Sequence, residues 1–513
     1  MPDLPKLSIF EKMRGIFTPV KNVRRQVLTE VARMIVEGHP PSYIETIPYN
    51  IISKDTPTYR ESVFRERAIV RERARLAFGL DLKEFGAHGP IIDDVTPAMT
   101  DKKFLSRPIV NVIKAGCERC ETDSFWVTNN CRKCMAHPCS IVCPVEAVTI
   151  GEKAAIIDQE KCIRCGRCAQ ACPYNAIVHR ERPCAQACGV NAISSDENGF
   201  AEIDYEKCVS CGLCIVSCPF GAIGEKSEIV QIIYTLRGEK PVYVEIAPSF
   251  VGQFGPLVKP SMIIAALKQI GFAGVVEVAY GADVDTLILS RELADLVSKK
   301  TKDKRRYIGT SCCPAWVLAA ITNFPKQAIN ISESFTPMVE AARKIKKMDP
   351  EARVVFLGPC IAKKNECFTP EVAELVDFVM TFEELGALFQ AFSIDPSEMN
   401  VEEEISDASE VGRAYAVAGG VADAILAQTK EILGKEIDIP FTSADTLADC
   451  MMMLKNIQNS KISPRPLLVE GMACPYGCIG GPGTLSPLHR AKRKVETFSK
   501  RAKVKLPSQH LKE

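Results

Sequence analysis

Cysteines in three short motifs are the residues of this chain whose type and spacing most clearly predict metal chemistry. The motifs are TSCCPAW at 310–316, GPCIAKKNE at 358–366 and MACPYGC at 472–478. Each follows an apolar, strand-like run, at 306–309, 354–357 and 467–469. The carboxyl ends of strands in an α/β sheet meet at one edge, where loops converge on a ligand. One thiolate from each of the first two loops and two from the third would form a four-sulfur cage for an iron–sulfur cluster.

A second group of cysteines lies upstream, where residues 117–223 hold 16 of the 23 cysteines. The segments 162–173 and 208–219 each have the pattern C-x2-C-x2-C-x3-C-P. This pattern is typical of ferredoxins with two [4Fe–4S] clusters, in which the fourth cysteine serves the other cluster of the pair. Shorter copies at 139–148 and 184–193 precede the two runs at nearly equal distances, so the module is predicted to be a tandem repeat of two double-cluster units.

The repeat predicts four sets of four ligands. The sets are Cys131, Cys134, Cys139 and Cys172; Cys143, Cys162, Cys165 and Cys168; Cys188, Cys208, Cys211 and Cys214; and Cys117, Cys120, Cys184 and Cys218. Zinc is an open alternative for one group, because the four cysteines between 117 and 134 also have the spacing of a zinc ribbon. His137 lies between Cys134 and Cys139 and is interpreted as a surface or packing residue rather than a ligand.

The composition excludes several other classes of protein. A net charge of +1 gives no global field for nucleic acid or an anionic membrane. No apolar run is long enough for a transmembrane helix, and the first residues do not resemble a signal peptide, so we expect a cytoplasmic protein that binds no membrane. The C-x-x-C steps disfavour a secreted disulfide framework. No glycine-rich nucleotide loop is evident, so direct NAD or flavin binding is not expected.

The three motifs resemble, in order and spacing, the signature motifs of the [FeFe] hydrogenases, while the upstream repeat resembles polyferredoxin-like modules. The resemblance covers roughly residues 117–485. It implies an α+β ferredoxin-like domain at 111–230. Upstream, amphipathic stretches near 22–37 and 60–78 predict a helical N-terminal region at 1–110, and the second stretch is dense in Arg and Glu, which predicts a solvated, salt-bridged face. The resemblance further implies an α/β catalytic domain at 240–490, with parallel-sheet halves around a buried metal site. Apolar runs predict additional strands near 275–279 and 414–418. The basic, helix-like segment at 491–513 is expected to be a solvated tail.

The resemblance also implies a cofactor and partners. The cofactor would be a diiron subsite with carbon monoxide, cyanide and azadithiolate, bridged to a [4Fe–4S] cluster that is held by Cys313, Cys360, Cys474 and Cys478. Two to four further [4Fe–4S] clusters would relay electrons. The substrates would be H₂ and protons, the electron carrier ferredoxin or a similar protein, and maturation proteins would build the diiron subsite.

Several side chains acquire implied roles from the same resemblance. Cys312 would relay protons, as a thiol can because its pKa is not far from neutral. Lys363 would contact a cyanide ligand, and Ser249, in the loop after strand 242–246, is a weaker candidate for the same task. The outward proton path would use carboxylates and a serine: Glu366, Ser332, Glu292 and Asp295. Glu292 and Asp295 are three residues apart on one predicted helix, and a solvated helix face is an equal interpretation of that pair.

The chain departs from the family pattern at several positions. Gly358 replaces a common methionine, Ala315 a common glycine, and the third motif ends in a rearranged glycine run at 480–483. These changes keep two alternatives open: a hydrogen-sensing or regulatory protein with low turnover, and a non-catalytic iron–sulfur electron-transfer protein. Intact Cys312 and Lys363 favour the enzyme.

Overall fold

The computed structural model describes residues 18–84, 86, 89–298, 304–400 and 408–511. The first region is helical. Its helices are α1 (Pro19–Val36), α2 (Ile47–Ile51), α3 (Val63–Ala77) and α4 (Val95–Ala98). Helix α1 begins at the N-cap Thr18 with proline at its first position, an arrangement that suits a helix start. Its apolar face, including Val27, Val31 and Ile35, is buried against the α/β region of the molecule.

Helix α3 was expected to present a solvated, salt-bridged face, and the structure corrects that expectation. Glu66, Arg73 and Arg75 of this helix are buried. Their partners are largely backbone groups: Glu66 accepts from the amides of residues 58–60, and Arg75 donates to the carbonyls of Ile91 and Asp93. The buried charged side chains of α3 therefore form hydrogen bonds to the backbone of neighbouring loops and do not form a water-exposed surface.

The cysteine-rich module is built from short helices and two-stranded antiparallel sheets. The elements are β1 (Val110–Val112), β2 (Ser124–Val127), α5 (Pro138–Ile141), β3 (Val148–Ile150), β4 (Ala155–Ile157), α6 (Arg167–Ala171), β5 (Ile177–Arg180), α7 (Pro183–Gln186), β6 (Ile193–Ser195), β7 (Ala201–Ile203), α8 (Leu213–Ser217) and β8 (Ile223–Glu225). The strand pairs are β1–β8, β2–β5, β3–β4 and β6–β7. The repetition of helix, hairpin and helix matches the predicted tandem repeat.

The last region alternates strands and helices, as predicted for an α/β domain. Its elements are α9 (Ile229–Leu236), β9 (Val242–Ile246), α10 (Pro260–Ile270), β10 (Gly274–Glu277), α11 (Val278–Ser298), β11 (Ile308–Gly309), α12 (Pro314–Asn323), α13 (Pro337–Met348), β12 (Arg353–Gly358), α14 (Ala362–Glu366), α15 (Pro370–Ala373), β13 (Phe378–Thr381), α16 (Phe382–Ala391), α17 (Glu410–Ala414), α18 (Gly420–Leu433), β14 (Phe441–Asp445), α19 (Leu447–Gln458), β15 (Leu468–Met472) and α20 (Leu488–Ser499).

Two parallel sheets organise this region among the described residues. One has the strand order β10-β9-β12-β13, and the other has the order β11-β15-β14. The first motif follows β11, the second follows β12 and the third follows β15. The carboxyl ends of both sheets thus supply the three motif loops, as the apolar runs predicted.

The strand expected at 414–418 was wrong. Helix α17 ends at Ala414, and the following turn binds the third motif loop through its backbone. The amide of Ala418 donates to the Tyr476 carbonyl at 3.1 Å, and the amide of Ile479 donates to the Ala416 carbonyl at 3.2 Å. The apolar segment is therefore buried against a loop rather than in a sheet.

The C-terminal segment, expected to be a solvated basic tail, packs on the α/β region. Phe498 of α20 meets Phe250 edge to face, and His510 Nε2 lies 2.8 Å from Asp283 Oδ2. Within the described residues, no helix combines the length and the hydropathy needed to cross a bilayer.

Candidate metal centre

The three motif loops bring Cys313, Cys360, Cys474 and Cys478 together. Cys474 lies close enough to the other three for their charges to raise its pKa, and Cys478 is likewise affected by Cys360 and Cys313. All four are free thiols. The three loops thus place four sulfur donors near one another, while their binding of a cluster stays a prediction.

The local backbone explains how these thiols are aimed. Cys313 is the N-cap of α12; burial raises the pKa of its thiol, and the backbone amides of Ala473, Trp316 and Ala315 oppose that rise. Cys360 lies just before α14; burial raises the pKa of its thiol as well, and the backbone amide of Lys363 opposes the rise. Amides at a helix N-terminus favour a thiolate, which is the form that binds iron. Tight packing fixes the first motif, because a Cβ at Gly471 of β15 would lie 2.2 Å from the Trp316 ring.

The donor set fits an iron–sulfur cluster rather than one small ion. Burial raises the pKa of Cys360 and of Cys478 to about 12, so these thiols need a bound cation to ionise. Thiolates that share one zinc ion would lie about 3.8 Å apart, given Zn–S bonds of ~2.3 Å. Among the described residues, no three cysteine sulfurs lie within 4.8 Å of one another. Cys117 and Cys120 neighbour Cys184 and Cys218, whereas Cys131 and Cys134 line a cavity with Cys139 and Cys172, so the four cysteines of the zinc alternative do not share one neighbourhood.

Cys312 lies beside this cage and faces a carboxyl group that the sequence did not single out. Burial raises the pKa of the Cys312 thiol well above its usual value, and the charge of Asp285 adds to the effect. Asp285 belongs to α11 and is fully buried. Burial also raises the pKa of Asp285, to about 7.

A chain of polar groups leads away from Asp285. Its Oδ1 accepts a 2.7 Å hydrogen bond from Ser334 Oγ, which lies 2.6 Å from Ser311 Oγ. The amide of Ser334 donates to Ser332 Oγ at 3.2 Å, and Ser332 Oγ donates to Glu292 Oε1 at 3.2 Å. Arg305 Nη1 is 2.7 Å from Glu292 Oε2.

The structure separates the two acids that the sequence paired. Glu292 contacts Ser332, whereas Asp295 is exposed on α11. Asp285 lies seven residues before Glu292, about two helical turns, so these two share the inner face of the helix. The seven-residue spacing can be read from the sequence, but the hydrogen bond from Ser334 to Asp285 is a tertiary contact that the sequence does not show.

A second polar chain starts at Lys363. Its Nζ lies 2.7 Å from Glu366 Oε2, and Glu366 Oε1 accepts a 2.7 Å hydrogen bond from Thr336 Oγ1. Burial would lower the pKa of Lys363, but the charges of Glu366, Cys360 and Cys312 outweigh burial and raise it. Lys363 is thus held as a buried cation beside the cage.

Two further polar groups lie close to the end of β9. The hydroxyl of Ser249 is fully buried, and neither it nor the Glu245 carboxyl has a hydrogen-bond partner among the described residues. Burial raises the pKa of Glu245 well above its usual value, which favours the neutral form of this carboxyl. Ser249 is therefore a free donor in the loop where the sequence placed a weak candidate. Glu245 was missed because it lies inside an apolar strand.

A surface cavity of about 1320 Å³ receives the ends of both polar chains. Its lining includes Ser311, Ser332, Ser334, Glu292, Arg305, Thr336 and Glu366. Protons could thus be exchanged with solvent through either chain without crossing apolar core.

The upstream cysteines group as the repeat predicted. A cavity is lined by Cys131, Cys134, Cys139 and Cys172, and another by Cys143, Cys162, Cys165 and Cys168. Cys208, Cys211 and Cys214 have Cys188 as their neighbour, and Cys120 and Cys184 have Cys117 and Cys218. These neighbourhoods are those of the four predicted sets.

The structure also shows which cysteine sets are neighbours, and the sequence alone could not show this. Cys211 lies close enough to Cys313 and Cys474 for electrostatic interaction, and Cys214 is similarly close to Cys184. The set that contains Cys211 therefore lies between the catalytic cage and the set that contains Cys184.

Comparisons with known proteins agree with this geometry. Residues 240–482 match the model of the iron-only hydrogenase large subunit, C-terminal domain, and residues 155–178 and 201–224 match the 4Fe-4S binding domain. Iron hydrogenase 1 of Clostridium pasteurianum is 28% identical over 405 residues, which cover 70% of each chain. The NADP-reducing hydrogenase subunit HndD of Solidesulfovibrio fructosivorans is 29% identical over 384 residues, covering 67% of this chain and 58% of the relative.

Solved structures are similar in part. A variant of the [FeFe]-hydrogenase HydA1 from Chlamydomonas reinhardtii superposes with a TM-score of 0.46 and 18% identity, covering 55% of this chain and 92% of that chain. The matched segments contain the three motif loops and the two full ferredoxin runs. The chain therefore has a region at 240–482 that is similar to the C-terminal domain of the iron-only hydrogenase large subunit, and ferredoxin-like 4Fe-4S binding segments upstream of it.

Proposed function

We propose that this chain catalyses the reversible reaction H₂ ⇌ 2H⁺ + 2e⁻ and relays the electrons through its ferredoxin-like clusters. The observation that carries the proposal is the convergence of Cys313, Cys360, Cys474 and Cys478 beside Cys312 and Lys363. When bound, a diiron subsite with carbon monoxide, cyanide and azadithiolate, bridged to a [4Fe–4S] cluster, supplies the exchange between H₂, protons and electrons.

The chain's own residues would bind and orient that cofactor. The four cysteines would ligate the cubane, and Cys478 would also bridge to the diiron subsite. The buried Lys363 ammonium and the unpartnered Ser249 hydroxyl would donate hydrogen bonds to cyanide ligands, which are anionic acceptors. Glu366 would hold Lys363 in position through its 2.7 Å ion pair.

Protons would move between Cys312 and solvent along the chain through Asp285, Ser334, Ser332 and Glu292. Among the carboxyl groups of the described residues, Asp285 has the largest electrostatic effect on Cys312, and its pKa of about 7 suits a group that must both accept and release a proton. Hydroxyl groups can donate and accept at once, so Ser334 would serve Asp285 and Ser332 would serve Glu292. Because the contact between the two serines is made by the Ser334 amide, which does not carry a proton, water in the cavity that both hydroxyls line would bridge them. Arg305 would keep Glu292 at the cavity wall.

Electrons would pass from the catalytic cage to the cluster of Cys188, Cys208, Cys211 and Cys214, and then to that of Cys117, Cys120, Cys184 and Cys218. The close approach of Cys211 to the cage supports the first step, and that of Cys214 to Cys184 supports the second. The two remaining sets would complete a row of four clusters, with ferredoxin or a similar protein as the carrier.

One observation favours a slower, sensor-like protein. A Cβ at Gly358 would lie 2.6 Å from the ring of Phe356, so the aromatic ring occupies the space where the family commonly has methionine. A changed environment for the cofactor would alter turnover without removing the ligands. Hydrogen turnover by the matured protein, compared with that of an efficient family member, separates the two functions.

The test uses protein that was produced together with the maturation proteins. We expect infrared bands from bound CO and cyanide, and iron content for the catalytic cluster and four further cubanes. The Cys312→Ser variant should keep these bands and the iron but lose at least 100-fold in hydrogen evolution. Full cubane content without CO and cyanide bands would contradict the enzyme and leave an electron-transfer protein.

A further inference from the structure

The two ferredoxin runs contain the same turn in two different surroundings. Cys165 and Cys211 are the second cysteines of their runs, and each is followed by a glycine with positive φ, of 72° at Gly166 and 78° at Gly212. The two turns therefore have the same backbone conformation. What covers each turn can be compared directly, position by position.

The catalytic region covers the second copy of the turn. Val209 is 3% exposed and belongs to an apolar cluster with Ala315, Ala319 and Leu447. A Cβ at Gly212 would lie 2.6 Å from Ile361 Cδ1, so the turn is in direct contact with the second motif. Cys211, which lies in this turn, is close enough to Cys313 for electrostatic interaction, so this side of its cysteine set faces the four-cysteine cage. The turn is thus the face through which one cluster meets its redox partner.

The first copy of the turn is exposed to solvent. Ile163, the counterpart of Val209, is 59% exposed, and Cys165 is exposed as well. Two exposed cations, Arg164 and Arg167, replace the uncharged Ser210 and Leu213. Within the described ranges, neither guanidinium forms a salt bridge.

Nearby carboxylates do not cancel these charges by pairing with them. Asp158 Oδ1 accepts from the amides of Glu160 and Lys161, and its other oxygen lies 4.0 Å from Lys161 Nζ. Glu160 is exposed but has no ion pair with either arginine. An apolar side chain flanked by free guanidinium groups is the composition of a protein contact site with a charged rim.

We propose that the turn Ile163–Arg167 is the docking site of an acidic electron-carrier protein. Carboxylates of the carrier would pair with Arg164 and Arg167, and an apolar contact on Ile163 would bring its redox centre close to the cluster behind Cys165. One electron passes from the reduced carrier to this cluster, or back, and no bond is made or broken. The inference rests on the proposed function, because it assumes that electrons enter or leave through this module.

The test compares three proteins that contain their clusters. The first is the unchanged chain, the second is Arg164→Glu combined with Arg167→Glu, and the third is Arg490→Glu combined with Arg493→Glu on α20. The third variant carries the same charge change on the other exposed basic surface. The probes are an acidic bacterial ferredoxin with two [4Fe–4S] clusters and the small dye methyl viologen. Iron content and electron paramagnetic resonance spectra confirm that all proteins keep their clusters.

We expect the reversal at 164 and 167 to raise the Kd for the ferredoxin more than tenfold, and the control to change it less than twofold. Cluster reduction in stopped-flow mixing should slow more with ferredoxin than with methyl viologen, which needs no protein contact. Ile163→Asp should also weaken binding. Equal effects of both reversals, an effect of the α20 variant alone, or no ferredoxin binding at all would overturn the proposal.

Failure of the proposed function would look different. A protein that binds ferredoxin through residues 164 and 167 but makes no hydrogen with either reductant would contradict the enzyme and keep the docking site. A protein that makes hydrogen with reduced methyl viologen, but whose affinity for ferredoxin does not depend on residues 164 and 167, would contradict only the docking site.

Discussion

The hydroxyl of Ser334 donates a 2.7 Å hydrogen bond to Asp285, and this contact ties α11 to the segment that follows β11. Asp285 is the first carboxyl group beyond Cys312, although the family pattern places its pair of acids later on the helix. Its second oxygen has no partner among the described residues. The carboxyl thus keeps one oxygen free to exchange a proton.

Asp285→Asn should lower hydrogen evolution and oxidation at least tenfold. The amide retains the shape of the side chain but cannot accept a proton from Cys312, so the relay stops at its first acid. The measurement is turnover with methyl viologen, together with infrared bands that show an intact cofactor. Asp295→Asn is the matched control, because Asp295 is exposed on the same helix, and it should retain most of the activity. Equal losses in the two variants would contradict the assignment.

The pH dependence should follow the same carboxyl group. Because the pKa of Asp285 is about 7, it is protonated below and ionised above neutral pH. Hydrogen oxidation needs the ionised form as proton acceptor, so its rate should rise through pH 7. Proton reduction needs the protonated form, so its rate should fall over the same interval. Rates measured from pH 5.5 to 8.5 should show these inflections in the unchanged chain but not in Asp285→Asn.

The convergence of the four motif cysteines could be predicted from sequence because the motif and the preceding strand together determine where each cysteine lies. Apolar runs located β9, β12 and β15, and loops at the carboxyl ends of parallel strands must converge. The expected strand at 414–418 failed because an apolar pentapeptide does not show whether it pairs with a strand or with a loop. Asp285 was not identified from the sequence for a related reason: its place in the polar chain depends on a hydrogen bond from Ser334, which is 49 residues away.

Gly358→Ala should destabilise the protein by about 1–3 kcal/mol, the usual cost of overpacking a core. The added Cβ would lie 2.6 Å from the Phe356 ring and 3.1 Å from the Ala247 Cβ, and both neighbours are buried. Denaturant titration measures the change. Gly89→Ala is the control, because its Cβ would meet nothing closer than 3.6 Å. Gly358→Met should be tolerated only together with Phe356→Ala, and tolerance of the single change would contradict this packing argument.

Arg60→Ala should release one cluster from the module. Arg60 Nη2 donates to the carbonyls of Gly116 and Phe220, which flank Cys117 and Cys218, two ligands of the fourth set. Loss of hydrogen bonds from a charged donor costs about 1.5–3 kcal/mol each. We expect a loss of about four iron atoms per chain on mild dilution, measured by iron quantification. Arg67→Ala serves as the control, because Arg67 bonds only within the N-terminal region, to the Ile52 carbonyl. Equal iron content in both variants would show that the N-terminal helices do not hold this cluster.

Arg182 should raise the reduction potential of the same cluster. Its guanidinium is buried, donates to the Cys120 carbonyl at 2.7 Å and lies 3.9 Å from Cys117 Sγ. A buried positive charge stabilises the more negative, reduced cluster. Arg182→Gln should therefore lower this potential by on the order of 60 mV, a tenfold change in the equilibrium constant of a one-electron couple. The repeat supplies the control, since His137 is the counterpart of Arg182, and His137→Gln should shift only the cluster of Cys131, Cys134, Cys139 and Cys172. Redox titration followed by electron paramagnetic resonance distinguishes these clusters, and an unchanged potential in Arg182→Gln would show that the guanidinium serves the backbone alone.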